Sequence, residues 1–227
     1  MIFTLDEKLL DSPFVDTIWR GRTERAGSRL APAGGCWVML VERHASRGET
    51  RLSVVGPMTQ ALPMRYAGNV EFVAIKFKPG TFMPHLPVNN FLNTVVSLPV
   101  AARKSFWLNS SAWQFPDYEN ADTFVDRLAR QGLLMRDQVV DAVLQDQPLA
   151  LSSRSVQRRF LYATGLTHSS LRQIARARRA MALLQRGVPI LDTVYAVGYT
   201  DQPHMTKSLK HFIGQTPAQI VRMSQSA

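Results

Sequence analysis

The sequence predicts an α+β chain with two regions: a β-rich barrel or sandwich over residues 1–133, and an all-α domain over residues 134–227. Three observations predict it. Short runs rich in β-branched and aromatic residues, punctuated by Gly and Pro, fill the N-terminal region. Helical periodicity with capping residues fills the C-terminal region. Within that helical region a pair of helices occurs twice, its second helices offset by 49 residues.

The N-terminal stretch MIFTLDEKLLDSPF places acids where a secretion signal needs an apolar run, so a cytoplasmic location is expected. No apolar run is long enough to span a membrane. Strands are expected at residues 14–24, 36–44, 50–56 and 69–80, with turns at the Gly and Pro positions between them. Pro84, Pro87 and Pro99 then interrupt a mixed stretch. NADTFVDRLARQG sets Phe124, Val125, Leu128 and Ala129 on one helical face and stops at Gly132. That helix is either a connector or a dimer contact. The single cysteine, Cys36, has no partner for a disulfide within the chain, as expected for a reducing compartment.

The helical half repeats itself. RSVQRRFLYATGLTHSSL aligns with PHMTKSLKHFIGQTPAQI, pairing Arg158 with Lys207, Phe160 with Leu209, Gly165 with Gly214 and Thr167 with Thr216. Each copy runs helix, glycine stop, then a Thr suited to cap the next helix. Upstream, VDAVL resembles LDTVY, so a short helix leads into each copy. Two helices joined by a short turn form a helix-turn-helix motif, whose second helix enters the major groove of DNA. The second helices are expected at residues 153–163 and 202–213, joined by a linker helix at about residues 168–186. The second turn bends at Gly198; the first, QDQPLALS, is longer and has a proline instead.

Charge agrees with that reading. The net charge is +10. Residues 136–227 hold 12 Lys/Arg and 5 Asp/Glu, so they contribute +7. Seven arginines and no acid stand in the stretch from Arg154 to Arg179. Such a block fits either a solvated helix face or a polyanionic partner, nucleic acid first. Arg172, Arg176 and Arg179 share one face of the linker helix, where phosphates would neutralise them and release counterions.

These residues resemble the DNA-binding domain of AraC/XylS-type bacterial transcription regulators. The markers are SSRSVQRRFLYATGLT, LRQIARARRAMALLQ and GYTDQ followed by K, F.G and TPAQ. The stretch VVGPMTQALPMRYAGNVEFVAIKFKPGTF is similar, less sharply, to the cupin-like β domains that precede this module in one branch of the family. The resemblance implies a regulatory domain that senses a small molecule or controls association, a homodimer, and RNA polymerase and promoter DNA as partners. It implies base-reading roles for Arg154, Gln157 and Arg158 in the first motif, and for Gln202, His204 and Lys207 in the second. Arg and Gln match guanine and adenine edges in bidentate fashion. His204 either reads a base or caps its helix. Arg159 is expected on a phosphate or as a bridge to the linker helix, beside backbone contacts from Arg172, Arg176 and Arg179.

Trp37, Met39, Phe72 and Phe77 either line an effector cavity or are plain core. His44, His85, Glu42 and Glu71 lack metal-ligand spacing, so no metal and no cofactor are expected. Two other classes remain open: a cupin or alkyl-transfer enzyme using Cys36, fused to a DNA-binding module, and a sequence-indifferent DNA-coating protein.

Overall fold

The computed structural model describes residues 2–45 and 48–225. Its main sheet is antiparallel and six-stranded. The strands are β1 (Ile2–Leu9), β2 (Val15–Thr23), β4 (Val38–His44), β5 (Glu49–Val55), β7 (Val70–Phe77) and β9 (Val95–Ser97), in the order β1-β2-β7-β4-β5-β9. A ribbon of β3 (Gly27–Ala31) and β6 (Leu62–Tyr66) stands apart from it, as do the small sheet of β10 (Val100–Ala102), β11 (Ser105–Leu108) and β12 (Ser111–Gln114) and the pair of β8 (Thr81–Phe82) with β13 (Met135–Arg136). The four strands expected from sequence are β2, β4, β5 and β7. Strands β1, β3, β6 and β10–β12 are not among the strands expected from sequence; β3, β6 and β10–β12 are only three to five residues long, too short for a clear period.

The sheet has two unlike faces, set by strand parity. Register pairs Val38 with Lys76, Leu40 with Ala74 and Glu42 with Phe72, so these six share one face. The opposite face carries Met39, Val41, Ile75 and Phe77, all buried in the main core. There Trp37 stacks on Phe77 at 3.9 Å between ring centroids and donates its indole N–H to the Thr81 carbonyl at 2.6 Å. Helix α1 (Ala121–Arg130) packs into the same core through Phe124, Val125 and Leu128.

Six helices complete the chain: α2 (Gln138–Leu144), α3 (Ser153–Thr164), α4 (His168–Gln185), α5 (Ile190–Ala196), α6 (Gln202–Phe212) and α7 (Pro217–Gln225). The caps are those the sequence offers. Ser152, Thr167 and Asp201 accept from the N–H groups of Ser155, Ser170 and His204. Thr216 and Gln219 exchange bonds as a capping box.

One hydrophobic core runs through sheet and helices without a break. Further contacts tie the two together. The N–H groups of Ala33 and Ala61 donate to the carbonyls of Phe212 (2.6 Å) and His211 (2.9 Å), at the end of α6. Arg178 Nε donates to the Ala33 carbonyl at 2.9 Å. Asp137 N–H donates to the Gly80 carbonyl at 3.0 Å, and Phe82 meets Tyr162 edge-on.

At Gly56 a Cβ would lie 1.6 Å from the Phe91 carbonyl oxygen, backbone that cannot rotate away. Gly56→Ala is therefore expected to lower stability by about 1–3 kcal/mol or more through forced backbone displacement. Denaturant unfolding of the two proteins measures it.

Candidate nucleic-acid interface

The helical half presents two exposed rows. On α3, Phe160, Ala163 and Thr164 turn inward, which leaves Arg154, Gln157 and Arg158 on the outer side. On α6, Met205, Leu209 and Phe212 turn inward, which leaves Gln202, Pro203 and Lys207 exposed. Gln202, Pro203, Thr206, Lys207 and Lys210 border one shallow depression. By the repeat offset of 49, Arg154, Gln157, Arg158 and Leu161 correspond to Pro203, Thr206, Lys207 and Lys210. Thr206 and Lys210 are absent from the sequence-based expectation, although that offset points to them.

His204 stands elsewhere. Its repeat partner is Ser155. Its imidazole meets Tyr199 edge-on at 5.2 Å and lies 3.4 Å from the Thr200 hydroxyl, so the ring faces the groove toward α4. The cap of α6 is Asp201, not His204.

Arg159 departs from its expected role. Its guanidinium makes a two-point pair with Asp137, at 3.0 and 2.8 Å. Asp137 is nearly buried and also caps α2 through the Val139 N–H. Arg159 thus bridges to α2 within its own motif, not to the linker helix. It is held because a buried carboxylate without a partner is costly.

The linker helix divides its arginines by face. Arg172 and Arg176 look onto α6, with the Arg176 guanidinium 5.5 Å from the centre of the Tyr199 ring. Burial pushes the Tyr199 hydroxyl up from its ordinary pKa, and that hydroxyl bonds Ser208 at 2.8 Å. Arg178 is turned to the β domain, and Arg179 lies on the outer surface. The partners that Arg176 and Arg178 find inside the protein are a neutral ring and a carbonyl.

The two turns solve one problem differently. After α5, Gly198 takes the left-handed conformation at φ 73°; after α2, Asp146 takes it at φ 52°. The first turn spans residues 145–152 and the second residues 197–201.

Residues 147–223 match the family described as a helix-turn-helix domain. They form an AraC-type helix-turn-helix domain. A helix-turn-helix domain is a DNA-binding module, so the match assigns DNA binding to this segment. Residues 9–97 match a domain of unknown function, DUF6597. No curated protein matches the chain in sequence. Two crystal structures of ToxT from Vibrio cholerae are similar in overall course. One, bound to (E)-4-(8-methylnaphthalen-1-yl)but-3-enoic acid, is 8% identical at a TM-score of 0.45 and covers 91% of this chain and 97% of that one. Another is 9% identical at 0.38, covering 92% and 97%. At such identity and scores the likeness carries no reading of individual residues.

Between the main sheet and α4 lies a second candidate site. A cavity of about 650 Å³ opens on the sheet face that bears Val38, Leu40, Phe72 and Ala74. The β3–β6 ribbon contributes Met64 and Tyr66 to its wall, and α4 contributes Leu171, Ile174, Ala175 and Arg178. Of the expected effector residues only Phe72 lines it. Trp37, Met39 and Phe77 are core on the far side of the sheet, because parity assigns them there. Cys36 borders the cavity, but burial pushes its thiol up to about 11. That burial disfavours the thiolate, the form that alkyl transfer would need.

Removing Asp137 deletes both the cap of α2 and the anchor of α3. Asp137→Ala is expected to lower stability by about 1–2 kcal/mol. It should also weaken DNA contacts made by α3 more than those made by α6. Thermal melting checks the stability change, and footprinting of the two DNA blocks checks the other.

Proposed function

We propose that this protein is a sequence-specific transcription regulator. It reads promoter DNA with α3 and α6, and its DNA affinity responds to a small, mainly apolar molecule in the cavity between sheet and linker helix. Residues 134–227 are assigned to DNA binding, and residues 1–133 to sensing and to assembly as a homodimer. RNA polymerase is the expected further partner, and no catalytic step is assigned.

The observation that carries the DNA reading is the pair of equivalent helix rows beginning at Arg154 and Pro203. Both sit at capped helix N-termini. Those are the turns that approach base edges in this motif. Arg158 supplies two donors for a guanine edge and Gln157 a donor and an acceptor for an adenine edge in the first row, and Gln202, Lys207 and Lys210 serve the second. Arg179 serves the backbone. A sequence-indifferent coating protein needs only the arginines and would have no use for two spaced rows.

The cavity supports the regulatory reading. Its lining is mainly apolar with a few polar groups, the usual character of a small-molecule site. One wall belongs to the helix that joins the two motifs.

Selection of bound fragments from random duplexes, with competitor DNA present, is expected to enrich one motif with two blocks about one helical turn apart. No enrichment would sink the specific reading. On the enriched site, Arg158→Ala should cost ~1–3 kcal/mol and relax base choice at one position. Arg179→Ala should weaken all duplexes alike.

For the cavity, anilinonaphthalene sulfonate is a suitable apolar probe. Its fluorescence is expected to rise saturably with the native protein, and Leu40→Arg, which sets a charge on the cavity face, should abolish the rise. An undiminished signal from the variant would remove the cavity as the site.

A further inference from the structure

The groove between α4 and α6 gathers an unusual set of side chains. Its walls include His168, Arg172 and Arg176 from α4, and His204, Lys207 and His211 from α6. Three of the chain's five histidines stand there. Among the described residues, no carboxylate lines it. The acid at the start of α6, Asp201, is engaged as that helix's cap. Tyr199 closes one end, its hydroxyl bonded to Ser208. The groove encloses about 720 Å³.

Each imidazole rests against an aromatic ring: His168 on Phe160, His204 on Tyr199 and His211 on Phe212. Such bracing orients the rings without occupying both ring nitrogens. Among the described residues, no three His, Cys, Asp or Glu side chains converge as metal ligands. The three imidazoles thus stand beside three cations, Arg172, Arg176 and Lys207. Lys207 belongs to both this groove and the base-reading row of α6. The groove therefore runs directly alongside that row.

We propose that the groove is a proton-linked clamp for a DNA strand: it takes the phosphodiesters flanking the major groove that α6 reads, and its histidines become protonated on binding. The proposal rests on the DNA-binding reading above. Imidazole is the side chain whose charge changes between about pH 5 and 8, and an adjacent phosphate favours the charged form. The complex then holds more protons than the free protein. Affinity consequently rises as pH falls and declines as pH rises. Arg172, Arg176 and Lys207 are charged throughout that range and supply the attraction that does not depend on pH.

The test is equilibrium binding of the full chain to one duplex carrying its selected motif, at about pH 6 and about pH 8 with ionic strength fixed. Wild type is expected to bind roughly tenfold or more tighter at the lower pH. The triple variant His168→Gln, His204→Gln, His211→Gln should shrink that difference to about twofold while enriching the same motif. The single variants, each retaining two of the three rings, should each remove a share of it, so the idea stays testable even if the triple variant melts early. A wild type that binds specifically without pH dependence overturns the clamp and leaves the regulator reading standing. Absence of specific binding at either pH overturns both. Full pH dependence in the variants also overturns the clamp. The ligand source is checked with inorganic phosphate against an equal ionic strength of chloride. Equal competition supports a DNA strand in the groove, and saturable displacement by phosphate alone would make it a site for a free anion instead.

Discussion

The structure depends on α4 holding two opposed requirements at once. Its inner stripe of Leu171, Ile174, Ala177, Ala180 and Leu184 is buried, while its outer positions carry Arg172, Arg176 and Arg179 with no acid beside them. Burying each large apolar side chain contributes roughly 1.5–3 kcal/mol. Repulsion between arginines one turn apart is opposed by high dielectric and by salt, which screens charges over about 8 Å. Burial therefore wins in the free protein, and the helix keeps a face whose charge is compensated only when an anion arrives. With that stripe in place, α3, α6 and α7 have a common surface to pack on.

The two motifs attach to the rest of the protein by different physics. At the first motif the anchor is the Asp137 N–H bond to the Gly80 carbonyl, and α3 is tied to that anchor by the Arg159–Asp137 pair. At α6 the anchor is backbone: carbonyls at the helix end accept from the N–H groups of Ala33 and Ala61. Those carbonyls belong to the last turn, which an isolated helix leaves without partners. Helix α6 thus ends against the β domain and could not shift without breaking bonds there. A charge pair with one half-exposed partner, by contrast, yields to salt.

The helical half is legible in the sequence because its information is local. A cap, a period of 3.6 and a glycine stop lie within one or two turns of the residues they specify, as at Ser152, Thr167 and Gly165. The β half is only partly legible. Alternation in CWVMLVERH and NVEFVAIKF shows strands, but both parities of β4 and β7 are apolar: Val38 and Leu40 on one face of β4, Met39 and Val41 on the other. Which face borders a cavity depends on what packs over it, here the β3–β6 ribbon and α4, the latter about a hundred residues away in sequence. Size alone draws Trp37, Met39 and Phe77 toward an effector site, and size does not distinguish the two faces. His204 shows a different tension between two signals. Family position puts it on the base-reading row, whereas the internal repeat pairs it with Ser155 and turns it off that row.

The same helix geometry links the two sites. Leu171, Ile174, Ala175 and Arg178 border the cavity, while Arg172 and Arg176 border the groove toward α6. These positions interleave over two turns of one rigid rod, so a displacement that accommodates a ligand on one side must be felt on the other. Arg178 tightens the connection, because its guanidinium both borders the cavity and bonds the Ala33 carbonyl. Ala33 in turn holds the end of α6. A ligand that displaced Arg178 would loosen one of the hydrogen-bonded ties between sensor and reader; one that packed against it would tighten it. Either change is worth about 1–3 kcal/mol in typical coupled systems, enough to shift DNA affinity by about one to two orders of magnitude. In the proposed regulation the sign would follow from which conformation of Arg178 a ligand favours, because that guanidinium both borders the cavity and bonds the Ala33 carbonyl.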